Sequence, residues 1–182
     1  MKVAIDVGHA YGTGARGNGL DEHEVAVKIA GYLKEELDGE LFAGCVADVL
    51  DFPGLGNAGD LRATVKAVND GGYGLCVSLH CDAGTNASAR GAHVIYVSDA
   101  GGRCAVEIAK HLCPIMPGRT NRTVRRGNLY VLNNTRCPAV LVECGFLTNS
   151  RDADMLKYEG RRIARAIALG VLAWVSAEII NN

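Results

Sequence analysis

The stretch Pro138-Ala139-Val140-Leu141-Val142-Glu143-Cys144-Gly145-Phe146 decides the fold class of this chain. The four apolar residues before the glutamate are typical of a strand that is buried on both faces, as in parallel sheets covered by helices. Similar short runs occur at 2–6, 74–81 and 93–98, and segments with helical periodicity separate them. The sequence therefore predicts an α/β fold, with a single twisted mixed β-sheet of about five to six strands flanked by helices on both faces.

The remaining predicted elements fill the intervals between these strands. Two further strands are predicted at 41–50 and 129–132, and a loop rich in Gly and Pro at 52–59. Asn149, followed three residues later by Asp152, predicts the start of the longest helix. The predicted helices span 21–37, 61–69, 101–116 and 151–177.

The composition limits the possible function classes. With 182 residues, of which 48% are hydrophobic and 21% charged, the chain has the size of one globular domain, 1–182. The net charge is −1, whereas proteins that neutralise nucleic-acid phosphates usually carry a basic excess. The apolar runs fall short of the ~20 residues that a helix needs to span a bilayer. We therefore expect no nucleic-acid partner and no membrane span. The composition does not determine the oligomeric state, for which a monomer is the default expectation.

The N-terminus and the cysteines bear on the cellular compartment. Asp6 and His9 interrupt the first apolar run, so we expect no signal peptide. The chain has seven cysteines, an odd number, and no Cys-x-x-Cys pair, which favours free thiols over a disulfide framework or a zinc ribbon. We therefore expect a protein that is cytoplasmic until it is released, and that holds any metal through other residues.

Two histidines lie at the ends of predicted strands. His9 follows the first strand in Asp6-Val7-Gly8-His9, where the glycine allows the backbone to turn sharply. His80 ends another strand in Val77-Ser78-Leu79-His80-Cys81-Asp82. Taken alone, His9 is more typical of a surface loop, and His80 of a core position with a satisfied hydrogen bond.

The first predicted helix begins with two glutamates that periodicity separates. Glu22 lies on the apolar stripe of Val25 and Ile29, whereas Glu24 lies on the solvated side. A carboxylate on an apolar face is costly unless it is paired or coordinated. Glu22 therefore requires a partner, and Glu24 does not.

Together, these residues indicate metal chemistry. Two histidines and one glutamate, with water in the fourth position, form a known catalytic zinc set, which makes His9, Glu22 and His80 candidate ligands. Glu143 ends the buried strand and either meets a counter-charge or works in a cleft. Beside a metal site it would serve as a general base.

These motifs resemble those of the zinc-dependent N-acetylmuramoyl-L-alanine amidases of type 3, which include cell-wall amidases, sporulation lytic enzymes and phage endolysins. The family's Asp-x-Gly-His turn is matched at 6–9, and the glutamate at the start of its first helix is matched by Glu22. The Ser-x-His-x-Asn/Asp motif at the end of a strand is matched at 78–82. The stretch Pro-Ala-Val-Leu-Val-Glu-x-Gly-Phe-Leu-Thr-Asn is matched throughout 138–149. Asp82 stands where many members have asparagine, a position that is not a ligand in the family.

The resemblance implies that His9, Glu22 and His80 bind one Zn²⁺ and that Glu143 is the catalytic acid/base. It implies a peptidoglycan hydrolase, an endolysin or autolysin, whose partners are the stem peptide and muramic acid of the cell wall. The expected bond is the amide between the lactyl group of N-acetylmuramic acid and L-alanine. Two alternatives stay open: a zinc peptidase that cuts within the stem peptide, and a catalytically inactive wall-binding module. Glu143 argues against the module, because a binder does not need a general base.

Several other polar residues receive simpler interpretations. Asp6 is a candidate for orienting a ligand histidine. We expect His93 and His111 at the surface or its boundary. Cys81 and Cys144 follow His80 and Glu143 and therefore point to the opposite face of their strands, so we expect both cysteines in the core. Four arginines are interpreted as a solvated loop or a contact for anionic carboxylates: Arg119, Arg122, Arg125 and Arg126.

Overall fold

The computed structural model describes residues 1–39, 44–118 and 123–180. The strands are β1 (Lys2–Val7), β2 (Arg16–Gly17), β3 (Leu20–Asp21), β4 (Val46–Leu50), β5 (Leu75–Asp82), β6 (His93–Tyr96), β7 (Val124–Arg126) and β8 (Ala139–Phe146). The helices are α1 (Glu22–Leu37), α2 (Gly56–Asp70), α3 (Asp99–Leu112), α4 (Tyr130–Asn134), α5 (Ser150–Tyr158) and α6 (Gly160–Ile180). A short 3₁₀ turn, Pro53–Leu55, precedes α2.

Six of these strands form one sheet in the order β4-β1-β5-β8-β6-β7. Strands β4, β1, β5 and β8 run parallel to one another, whereas β6 is antiparallel to β8 and parallel to β7. The two short strands β2 and β3 form a separate antiparallel ribbon just before α1. The predicted α/β class and mixed sheet are therefore confirmed.

Helices cover both faces of the sheet, so its central strands are buried on both sides. On one face α6 packs against both α1 and α3, and Val3, Ile5 and Val7 of β1 belong to the larger core. Ala4 and Ile95 belong to a smaller core that includes residues of α2 and α4. Burial of each large aliphatic side chain is worth roughly 1.5–3 kcal/mol, which explains why most positions of these strands are apolar.

The strand register brings polar residues together at the carboxyl edge of the sheet. His80 of β5 pairs with Glu143 of β8, and Glu143 pairs in turn with His93 of β6. Gly8 follows β1 and its N–H donates to a β5 carbonyl group at 3.0 Å. His9 therefore lies just after β1 and beside the end of β5, close to His80.

The predicted helix at 151–177 is wrong in one respect, because the structure divides it into α5 and α6. Glu159 lies between them with φ −114° and ψ 21°, outside helical geometry. The side chain of Asn149 caps α5 by accepting from the N–H groups of Arg151 and Asp152, as predicted. Both helices bury an apolar face, so periodicity alone did not reveal the break.

Two further predictions fail around β7. The 129–132 segment is not a strand but lies largely in α4, where Val131 is buried against the sheet. Its aromatic and branched residues favour strands by propensity, but packing overrides that preference. The predicted arginine loop contains an edge strand, β7, on which Arg125 and Arg126 are exposed, since charged side chains are tolerated at a sheet edge. Outside the described residues lie Arg119, Arg122 and positions 41–43 of the predicted 41–50 strand.

Helix α6 has 21 residues and is long and apolar enough, by length and composition alone, to cross a membrane. No uninterrupted apolar run of the sequence reaches this length, but the helix as a whole, which includes Arg161, Arg165 and Glu178, is apolar on average. In the structure Ile163, Ile167, Val171 and Trp174 are buried, and the helix packs against α1 and α3. Helix α6 is therefore a core helix of this fold.

Candidate metal centre

Three side chains from different elements converge at the carboxyl edge of the sheet. The two oxygen atoms of Glu22 lie 3.5 Å from His9 Nε2 and 3.1 Å from His80 Nδ1. One ligand atom from each residue lies within 4.8 Å of the others. The structure thus brings together all three residues that the sequence analysis selected as ligands.

Close packing at two glycines makes this convergence possible. A Cβ atom at Gly8 would lie 2.4 Å from Cε1 and 2.5 Å from Nε2 of His80. Gly14 has φ +86°, and a Cβ atom there would lie 2.9 Å from Glu22 Oε2. Larger residues at either position would displace a candidate ligand.

Glu22 is fixed from several sides at the start of α1. The N-cap residue of α1, Asp21, accepts hydrogen bonds from N–H groups of the first turn, which anchors this end of the helix. The Glu22 carboxylate accepts from the N–H groups of Ala15 at 2.6 Å and Cys81 at 2.9 Å. With only 2% of its surface exposed, Glu22 is buried as its apolar stripe predicts, and Glu24 is exposed.

The electrostatics of the three residues suit a bound cation. Burial raises the pKa of Glu22, but hydrogen bonds and the charge of His80 outweigh it, so the net pKa is lowered. Burial lowers the pKa of His9 more than the Glu22 charge raises it. Burial also lowers the pKa of His80, but its hydrogen bond to Glu22 and the charges of Glu143 and Glu22 raise it overall. An ionised glutamate and neutral imidazoles are the forms that bind a metal ion, so metal binding at His80 would compete with a proton.

Glu143 lies beside this cluster on β8. Its Oε2 atom is buried and has no hydrogen-bond partner within the described part of the chain. Burial raises its pKa to about 7, opposed by the charge of His80 and supported by the negative charges of Asp82 and Glu22. A buried carboxyl group with this pKa can both accept and donate a proton near neutral pH.

The other interpreted residues have mixed outcomes. Cys81 and Cys144 are buried in the larger core, as predicted, and His111 is exposed. The prediction for His93 is wrong: it is buried, with Nδ1 3.6 Å from Asp82 Oδ2. Because β6 pairs antiparallel with β8, His93 lies opposite Glu143 at the carboxyl edge of the sheet. Its local sequence does not reveal this position.

Asp6 has a different role from the predicted one. Its carboxylate accepts from the hydroxyl groups of Ser78 at 2.6 Å and Thr64 at 2.9 Å, so it joins β1 to β5 and α2. These contacts are to hydroxyl groups, whereas the prediction was a contact to a ligand imidazole. Asp6 therefore braces the strand ends that carry the histidines.

Two residues of α2 were missed by the sequence analysis. Asn57 and Asp60 line a cavity of about 70 Å³ beside His9 and His80. The Asn57 side chain accepts from the N–H of Ala10 at 3.3 Å, behind the candidate ligand. Neither residue belongs to a periodic pattern that points at the site, because α2 reaches it only through the tertiary fold.

Comparison with known proteins decides the family. The model of the N-acetylmuramoyl-L-alanine amidase family matches residues 3–173. The chain belongs to this amidase family. Its activity is that of a peptidoglycan amidase, a hydrolase, and members of the family are generally zinc-dependent.

Relatives and solved structures agree with this amidase assignment. The uncharacterized protein YqiI of Bacillus subtilis, whose name states no activity, is 34% identical over 176 residues, covering 93% of this chain and 82% of the relative. The N-acetylmuramoyl-L-alanine amidase LytC of Bacillus subtilis is 29% identical; the match covers 85% of this chain but only 31% of LytC. The catalytic domain of an endolysin targeting Clostridia difficile has 31% identity and a TM-score of 0.83, with 95% of this chain and 97% of that one covered.

Proposed function

We propose that His9, Glu22 and His80 hold one Zn²⁺ ion and that Glu143 is the catalytic acid/base of the amidase. The observation that carries this proposal is the convergence of two imidazoles and a carboxylate beside a strand that bears a glutamate with a buried carboxylate oxygen. This is the donor set of catalytic zinc sites, which keep one position open. When bound, zinc would polarise the scissile carbonyl group and lower the pKa of a water molecule.

The proposed substrate bond is the amide between the lactyl group of N-acetylmuramic acid and L-alanine of the stem peptide. Water adds to the lactyl carbonyl carbon, and the Glu143 carboxylate accepts one of its protons. The same carboxyl group then donates a proton to the L-alanine nitrogen as the C–N bond breaks. The products are a lactyl carboxylate on the sugar and a free L-alanine amino terminus.

The surroundings of Glu143 support this double role. A carboxyl group with a pKa of about 7 is divided between its two protonation states near neutral pH. Its position opposite His80 in the strand register keeps it next to the ligand cluster. We further propose that residues 1–182 act as one catalytic domain, since the four residues converge at one edge of a single six-stranded sheet and the family match spans 3–173.

The test is digestion of purified peptidoglycan, with the new ends identified by mass spectrometry. The wild type is expected to release free L-alanine amino termini, and a chelator is expected to abolish the release. Glu143→Gln should lower the rate by about 10²- to 10⁴-fold, the usual contribution of a general acid/base, and keep its zinc content. Glu24→Gln, an exposed change near the site, is the matched control and should behave as wild type.

Other outcomes would point elsewhere. New termini inside the stem peptide would make the protein a zinc peptidase. Wall binding without any release would make it an inactive wall-binding module. A wild-type rate for Glu143→Gln would remove this residue from the mechanism and leave the amidase activity standing.

A further inference from the structure

His23 is a buried histidine that the proposed mechanism does not use. It follows Glu22 in the first turn of α1, and only 1% of its surface is exposed. Its backbone N–H donates to Asp21 at 3.0 Å, which fixes the start of the side chain. The ring of Tyr11 packs on its ring, with centroids 4.8 Å apart.

The imidazole of His23 contacts the backbone of a candidate ligand. Its Nδ1 atom lies 2.5 Å from the carbonyl oxygen of His9, a residue 14 positions earlier in the chain. A carbonyl group only accepts hydrogen bonds, so Nδ1 must carry the proton. On the other side of the ring, Asp51 Oδ2 lies 3.7 Å from Nε2, beyond hydrogen-bond distance.

The accepting residue has an unusual backbone. His9 has φ +64°, in the left-handed region that residues with a side chain rarely adopt. Such a conformation persists only where surrounding contacts hold it. The His23 hydrogen bond is such a contact, and it acts on the residue whose imidazole lies 3.5 Å from Glu22.

We propose that His23 is a positioning residue for the metal site, which holds His9 in its left-handed conformation by donating Nδ1–H to the His9 carbonyl group. Because His23 and Glu22 are adjacent on α1, this bond ties two candidate ligands from separate segments into one arrangement. The proposal rests on the proposed function, since it takes His9 to be a zinc ligand. Partners of this kind usually change metal affinity by about 10- to 100-fold when they are removed.

The first experiment compares zinc affinity, measured by competition with a chelator, in three variants. His23→Phe keeps a buried ring without a donor, and His23→Asn keeps a side-chain N–H at a position similar to Nδ1. His111→Phe makes the same change at an exposed histidine of α3 and is the control. We expect His23→Phe to lose affinity by about 10- to 100-fold, His23→Asn to recover most of it, and His111→Phe to match the wild type.

Each result separates this proposal from a packing role and from the proposed function. Equal affinity of wild type and His23→Phe would overturn the positioning role, and so would a loss that His23→Asn does not recover. A wild type that binds no zinc would overturn the proposed function and this inference with it.

A second measurement needs no variant, in case His23→Phe does not fold. The ¹⁵N spectrum of the wild-type histidines at neutral pH should show a proton on Nδ1 of His23. A ring protonated on Nε2 alone would overturn the proposal.

Discussion

Replacing Asp60 with asparagine should stabilise the metal-free protein at neutral pH. Asp60 lies on α2 with 3% of its surface exposed, and its Oδ1 atom has no hydrogen-bond partner among the described residues. Burial, followed by the negative charges of Asp6 and Asp51, raises its pKa from 3.8 to about 6. The folded protein therefore keeps this proton to a higher pH than the unfolded chain does.

The sign and the size of the effect follow from this difference. The contribution of Asp60 to stability is fully present below about pH 4 and is lost as the pH rises through about 6. At about 1.4 kcal/mol for each pH unit, the rise in pKa amounts to about 3 kcal/mol. Asparagine does not ionise, so Asp60→Asn should exceed the wild type in free energy of unfolding by up to about 3 kcal/mol at neutral pH.

Urea denaturation of the chelator-treated proteins measures this difference at several pH values. The advantage of Asp60→Asn should be largest above the pKa of Asp60 and should shrink towards zero near the usual pKa of an aspartate. Asp154→Asn, at an exposed position of α5, is the control and should show a small difference that does not change with pH. An Asp60→Asn protein no more stable than wild type at neutral pH, or one whose advantage persists in acid, would refute the reasoning.

Three further predictions concern the geometry of the ligand cluster and of the core. Glu22→Ala should lose bound zinc while Glu24→Ala keeps it, as measured by metal analysis of the purified proteins; equal zinc content in both would contradict the ligand assignment. Gly8→Ala places a Cβ atom 2.4 Å from the His80 ring, so chelator competition should show weakened zinc binding, and wild-type affinity would mean that the ring can move aside. Gly170→Ala places a Cβ atom 2.4 Å from the backbone of α3 and should lower the free energy of unfolding by about 1–3 kcal/mol, the usual cost of overpacking. Urea denaturation measures this last value. An unchanged urea midpoint would show that α6 can shift away from α3 to accommodate the added methyl group.

The parts of the site that the sequence could predict are those that leave a local pattern. Glu22 was separated from Glu24 because helical periodicity places one on the buried stripe and the other in solvent. His80 and Glu143 ended apolar runs, and parallel strands of one sheet end at the same edge. The motifs and the fold class were therefore accessible before any tertiary contact was known.

The parts that the sequence could not predict depend on contacts between distant segments. His93 enters the edge of the sheet only because β6 runs antiparallel to β8. Asp60 approaches the histidines only through the packing of α2, and His23 gains its role from a backbone conformation at His9. The break between α5 and α6 at Glu159 could not be predicted, because the apolar pattern continues across it.

Local charge explains more about this site than the net charge of −1 does. Glu22, Asp6 and Asp60 are buried around the strand ends, and Glu143 is half-buried there. The closest partners of Glu22 and Asp6 are backbone N–H groups, an imidazole and hydroxyl groups. Bringing several carboxylates into a low-dielectric region is costly unless positive charge accompanies them. A divalent cation bound at the Glu22 cluster, as proposed, would supply that charge and favour the ionised forms of its neighbours. Metal binding at this site would therefore be coupled to folding, because the same carboxylates that would attract the ion make the metal-free fold less stable.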